Sequence, residues 1–172
     1  MSPRPRTATL PGVLVGILSD THDRVEATRA AVELLRGKGA EFFIHCGDVG
    51  SELVLDALAG LAAAFVFGNT DWDRRGLERY APQIHVSCLG NGGELQLGGK
   101  LFFVTHGDDA RTYKQALDSQ RFDYLLHGHT HLKRDDRVGR TRIINPGALH
   151  RAREKTVALL DTRDVALGWL TV

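Results

Sequence analysis

Seven side chains of the types that bind divalent cations stand just after short apolar runs. Leu18 leads into Ser19-Asp20-Thr21-His22, and Ile44-His45-Cys46 into Gly47-Asp48. Phe65-Val66-Phe67 leads into Gly68-Asn69-Thr70-Asp71, and Phe102-Phe103-Val104 into Thr105-His106-Gly107. Leu125-Leu126 leads into His127-Gly128-His129-Thr130-His131. Asp20, His22, Asp48, Asn69, His106, His129 and His131 are too many donors for one tetrahedral ion. They suit two cations sharing a carboxylate. Asp48, alone on a tight glycine turn, is the natural bridge and could offer one oxygen to each ion. Asp-x-His and His-x-His would each place two side chains on the same side of an extended segment. A mixed carboxylate, amide and imidazole shell favours Mn, Fe, Ni, Co or Zn over Mg.

Two such ions can hold the attacking and leaving oxygens of an in-line displacement at phosphorus, and can lower the pKa of a bound water from about 15.7 to about 7. A serine or cysteine nucleophile is then unnecessary, and no Gly-x-Ser-x-Gly elbow or Walker-type phosphate loop is present.

Each motif alone has a plainer reading. Asp20 and His22 could only cap a helix, Asp48 and Asn69 could only form turns, and His106 could be a core histidine. The set coincides at strand exits, which the plainer readings do not explain. Asp71 is either an orienting carboxylate or a turn former, and His127 a packed strand-end residue. Arg24 is either a phosphate contact or, the preferred reading, a solvated helix start. His45, His85 and His150 read as structural, Cys46 as a small buried hydrophobe, and Asn145-Pro146-Gly147 as a fixed turn. Arg134 to Arg142 reads as the exposed faces of a charged hairpin.

The elements that must position these residues alternate in the first half. A strand over Val13–Leu18 is followed by a helix over Val25–Leu35, ended by Gly37 and Gly39, and by a strand over Phe42–Cys46. A helix capped by Ser51 is expected to run through Leu61, and a third strand over Phe65–Phe67, after which Asp71 to Ile84 reads as a loop that bears on substrate choice, as does Asp108 to Lys114. In open α/β sheets the ligand site lies beyond the carboxyl ends of the strands. The second half reads as a hairpin (Glu94–Leu97, Lys100–Thr105), a helix over Arg111–Ser119 and a strand over Tyr124–His127. A hairpin turning at Gly139 and two last strands, Thr156–Leu160 and Val165–Val172, follow. The whole is a layered α/β or α+β sandwich.

The chain has 172 residues with 42% hydrophobic and 25% charged, the composition of one globular domain. Residues 1–12 read as a flexible tail and 13–172 as a single domain. The net charge of +1 leaves no strong nucleic-acid or membrane footprint. Two cysteines exclude a disulfide framework and a four-cysteine zinc site. No apolar run approaches the roughly 20 residues of a membrane helix, and a cytoplasmic protein is expected.

Asp-x-His, Gly-Asp, Gly-Asn-x-Asp, His-Gly and Gly-His-x-His, in this order, resemble the calcineurin-like metallophosphoesterase superfamily. The Ser-Asp-Thr-His-Asp opening and Asn145-Pro146-Gly147 resemble its small YfcE-type phosphodiesterase branch. The resemblance spans about Val13 to Asp161. It implies a four-layer αββα sandwich with two mixed β-sheets and a metal-dependent phosphodiesterase acting on a small diester. It also implies two divalent ions, manganese foremost, with a hydroxide bridging them as the nucleophile. One ion would take Asp20, His22, Asp48 and His131, and the other Asp48, Asn69, His106 and His129. Asp48, Asn69 and His106 would be the catalytic residues, and a homodimer or tetramer the assembly. Many superfamily members carry a histidine where this chain has Thr70, which leaves the general acid unassigned. The rival expectation is a catalytically weak scaffold on the same fold, like the related retromer subunits.

Overall fold

A computed structural model describes residues 12–172, so the expected tail falls, but for Gly12, outside the described residues. Two mixed sheets stack face to face. The first runs in the order β11–β10–β1–β2–β3–β4. Its strands β1 (Leu14–Leu18), β2 (Phe42–His45), β3 (Ala63–Phe65) and β4 (Val86–Cys88) are parallel, and β10 (Thr156–Asp161) and β11 (Leu167–Thr171) close one edge antiparallel. The second runs β5–β6–β7–β9–β8. Here β6 (Lys100–Thr105), β7 (Tyr124–Leu126) and β9 (Thr141–Asn145) are parallel, flanked by antiparallel β5 (Gly92–Leu97) and β8 (Arg134–Val138).

Strand alternation assigns the layers. Val15, Ile17, Ile44 and Cys46 point inward to meet Phe102, Val104, Tyr124, Leu126 and Ile144 between the sheets. Their neighbours Leu18 and Phe43 point outward against the helices α1 (Val25–Gly37), α2 (Glu52–Leu55) and α3 (Arg74–Tyr80). On the far side, Leu125 and Ile143 pack against Ala116 of α4 (Ala110–Asp118). Three apolar layers between four layers of structure make an αββα sandwich.

Helix α1 forms because Thr28, Ala31, Val32 and Leu35 repeat on one face, and all are buried. It stops in a Schellman turn: Ala40 N–H donates to Leu35 O at 3.0 Å and Gly39 N–H to Arg36 O at 2.9 Å, with Gly39 at φ 89°.

Several expectations from the sequence change. The third strand is Ala63–Phe65, because the ladder to β2 pairs Ala63 with Phe43; the more strand-prone Val66 and Phe67 instead form the exit toward Asn69. The helix after Ser51 ends at Leu55 and tightens into a short 3₁₀ turn over Asp56–Leu58. The Ser51 hydroxyl does not cap it but donates to Asp23 Oδ1. Helix α3 and strand β4 lie in and just after a stretch read as loop; Asp73 caps α3 through Gly76 N–H, at 2.9 Å.

Candidate metal centre

The carboxyl ends of β1, β2, β3, β6 and β7 share one rim, and all seven residues stand on it. The floor is buried: Asp20 and His106 are 0% exposed and Asp48 is 2%. His22 and His131 are half-buried at the rim, and Asn69 and His129 are exposed.

The Asp-x-His and His-x-His segments are not extended, contrary to the sequence reading. Asp20, His22, Asp48, His129 and His131 all adopt left-handed backbone, with φ of 54°, 43°, 56°, 66° and 59°. Aspartate and histidine tolerate this region better than most residues, yet each costs about 1–3 kcal/mol unless its surroundings enforce it. Here the loops are stitched together. Asp20 N–H donates to Gly47 O at 3.0 Å, His22 N–H to Asp48 O at 2.9 Å and Gly128 N–H to His106 O at 3.0 Å.

Both carboxylates are held by one oxygen and present the other. Asp20 Oδ2 accepts from Ser19 Oγ at 2.7 Å and from His129 N–H at 3.1 Å. Its Oδ1 is buried without a hydrogen-bond partner, 3.2 Å from His131 Nε2 and 3.9 Å from His22 Nε2. Asp48 Oδ1 accepts from Thr70 N–H at 2.9 Å. Asp48 Oδ2 lies 3.4 Å from His22 Nε2 and 3.3 Å from His106 Nε2. A single oxygen of Asp48 therefore faces both donor groups, rather than one oxygen facing each. Burial raises the Asp20 pKa despite the bond from Ser19 and the nearby His106 and His131. Burial also acts to raise that of Asp48, but the adjacent His106 and the Thr70 N–H outweigh it and hold the carboxyl well below the usual range.

His106 Nδ1 donates to Cys46 O at 2.8 Å, which fixes the tautomer and turns the Nε2 lone pair toward the pocket. There it meets Asn69 Oδ1 at 3.1 Å as well as Asp48 Oδ2, and His129 Nδ1 is 3.1 Å from the same amide oxygen. A lone pair among oxygens requires a proton or a cation between them. With the partnerless Asp20 Oδ1 and His22 Nε2, the donor set fits divalent metal. Asp20, His22 and His131 bring donor atoms within 4.8 Å of one another, as do Asp20, Asp48 and His106. Asp20 Oδ1 also approaches His106 Nε2, at 4.0 Å, so it too faces both groups.

Other residues named from the sequence hold the frame. Asp71 accepts from Gly50 N–H at 2.8 Å and Gly68 N–H at 2.7 Å, bracing two strand exits rather than facing the pocket. His45 sits beneath the floor, accepting from Gly47 N–H at 3.2 Å and bonded to Thr21 Oγ1 at 2.9 Å; burial above all lowers its pKa to about 3. His127 is buried beside the Tyr113 ring, its pKa lowered to about 4, chiefly by burial. Asn145 Nδ2 donates to Gly128 O at 2.9 Å, tying the His-x-His loop to β9. Cys46 is fully buried and its thiol pKa is raised by that burial.

Sequence reasoning missed Ser19, which lay inside a quoted motif, and Arg74, which lay in a presumed loop. Arg74 spans the Gly68–Asp71 loop, donating to Gly68 O at 2.8 Å, Asp71 O at 3.2 Å and Asn91 Oδ1 at 2.8 Å. Thr70 contributes its backbone N–H to Asp48, and its hydroxyl lies 3.4 Å from His22 Nδ1.

An αββα sandwich thus brings carboxylate and imidazole donors that could hold divalent metal to one rim. Residues 13–165 match the calcineurin-like phosphoesterase superfamily domain, and the chain belongs to that superfamily. It is 31% identical over 153 residues to phosphodiesterase MJ0936 of Methanocaldococcus jannaschii, covering 86% of this chain and 92% of the relative. The solved structure of an archaeal phosphodiesterase superposes with a TM-score of 0.85 at 27% identity, over 92% of this chain and 99% of that one. The YfcE phosphoesterase of E. coli shares the fold, with a TM-score of 0.64 at 20% identity over 92% of this chain and 99% of that one.

Proposed function

We propose that the protein is a dinuclear, metal-dependent phosphodiesterase acting on small diesters. One observation carries this reading: Asp48 Oδ2 lies between His22 Nε2 and His106 Nε2 at 3.4 and 3.3 Å, with further donors beyond each. Asp20, His22, Asp48 and His131 would hold one ion, and Asp48, Asn69, His106 and His129 the other. Two divalent ions there, manganese foremost, would supply a bridging hydroxide nucleophile and neutralise charge at phosphorus. The chain's own residues do the rest. Ser19 and Thr70 aim the carboxylates, the Cys46 carbonyl sets the His106 tautomer, and Arg74 fixes the loop that carries Asn69. Similarity to phosphodiesterase MJ0936 supports diesters as the substrate class. Two free cysteines and no helix long and apolar enough to cross a membrane, among the described residues, are compatible with action in the cytoplasm.

The Thr70 position brings no proton donor to a leaving group, so aryl diesters should turn over faster than alkyl ones. The test is an aryl diester assay with added Mn²⁺, with and without chelator, beside Asp48→Asn. Because Oδ1 must accept from Thr70 N–H, the new amide would turn its NH₂ toward the cations. Activity should vanish with chelator and fall in the variant by more than the roughly 100-fold that supporting-residue changes reach. Turnover that survives both treatments would reject the mechanism. Two bound ions with no turnover of any phosphoester would favour the scaffold reading.

A further inference from the structure

The edge of the site beyond His22 carries an unbalanced positive charge that the chemistry above does not use. The His150 ring centroid lies 5.1 Å from that of His22. Arg24 Nε donates to His150 Nδ1 at 3.2 Å, so the neutral ring carries its N–H at Nε2. Next to His150, a groove of about 310 Å³ along the start of α1 is lined by Arg24 and Lys155 together with Asp23 and Glu26.

Two of the three acids nearby are already paired with cations: Glu26 lies 3.5 Å from Arg29, and Glu154 binds Lys133 and Thr171, both at 2.8 Å. Asp23, hydrogen-bonded to the Ser51 hydroxyl, keeps its charge and offsets part of the positive charge around it. Arg24, Arg151 and Lys155 are exposed and form no ion pair among the described residues. Arg151 is held at φ 50°, a left-handed conformation that fixes the turn next to His150. A net charge of +1 over the whole chain conceals this local excess.

We infer that the shelf of Arg24, His150, Arg151 and Lys155 is a subsite for a second phosphate group, making phosphodiesters that carry an additional phosphate the preferred substrate class. This rests on the phosphodiesterase reading, since the shelf adjoins the cleavage site. The scissile diester has one negative charge, which the cations would neutralise. The exposed cations beyond His150 are then available to favour charge elsewhere on the substrate. The free N–H groups of Arg24 can take a phosphate in a forked geometry, and His150 Nε2–H adds a neutral donor.

The experiment compares a thymidine dinucleotide with and without a 5′-phosphate on the manganese-loaded protein. The phosphorylated form should show a kcat/KM at least about fivefold higher, and higher ionic strength should shrink that ratio. Arg24→Gln and Lys155→Gln should each bring the ratio toward one. Calorimetric binding of the same pair to Asp48→Asn protein should show the same preference without relying on turnover. Equal kcat/KM and equal binding, or a preference that survives both substitutions, would overturn the subsite. A binding preference without hydrolysis of any diester would overturn the phosphodiesterase reading and leave the subsite standing.

Discussion

At the scale of residues, the site works by dividing each carboxylate into a tethered oxygen and a presented one. Ser19 Oγ and His129 N–H hold Asp20 Oδ2, leaving Oδ1 without a partner in a buried pocket. Ser19→Ala removes one tether and lets the carboxylate rotate. Manganese affinity should fall by about 10- to 100-fold, as changes behind a ligand typically do, while the fold is kept. Calorimetric titration of the metal into the variant checks this; unchanged affinity would mean that His129 N–H suffices. The donor types were legible in the sequence because aspartate, asparagine and histidine clustered after apolar runs. Which oxygen of Asp48 faces the pocket was not. It depends on Thr70 N–H, and a backbone donor has no signature in residue identity.

At the scale of elements, five strand exits must pass within contact distance of one another. Glycine makes this possible where backbone meets ligand: a Cβ on Gly68 would collide with the Asp48 carboxylate and backbone, and one on Gly128 with Ser19 and Asp20. Gly68→Ala should therefore displace Asp48 and lower both metal occupancy and turnover by at least about 100-fold, beyond what a supporting side chain achieves. Metal analysis of the purified variant reads it directly; full occupancy would show that the β2 and β3 exits can separate without consequence. Most strands of the sandwich were readable from period-two and apolar runs. Strand β4 and helix α3 were not. The helix sequence Arg-Arg-Gly-Leu-Glu-Arg-Tyr buries only Gly76 and Leu77, too few apolar positions to show a face. The third strand was misplaced for the opposite reason, since Phe65-Val66-Phe67 has the stronger strand propensity but the ladder with β2 fixes Ala63–Phe65.

At the scale of the whole molecule, burying histidines under a charged rim links stability to pH. His45 has its pKa lowered to about 3 and His127 to about 4, so both stay neutral in the native state below the ordinary value of 6.5. The unfolded chain takes up those protons and the folded chain does not. Stability is therefore full above about pH 6.5 and falls as pH drops toward 4, by up to about 1.4 kcal/mol per pH unit for each histidine. Asp48, whose pKa is lowered, contributes in the same direction, and Asp20 and His106, whose pKa values are raised, oppose it. Urea unfolding of chelator-treated protein should have a lower midpoint at about pH 5 than at about pH 7. An unchanged midpoint would mean that these histidines are not held neutral. Divalent metal should add about 2.7 kcal/mol of stability at a hundred times its dissociation constant, and raise the midpoint accordingly.

The proposed mechanism requires one oxygen of Asp48 to join two cations into a single reactive centre. Manganese titration followed by electron paramagnetic resonance, with diester turnover measured at each step, tests it most directly. The account predicts two ions per chain, a spin-coupled signal, and activity that rises with the second ion. Full activity with one isolated, uncoupled manganese per chain would contradict it.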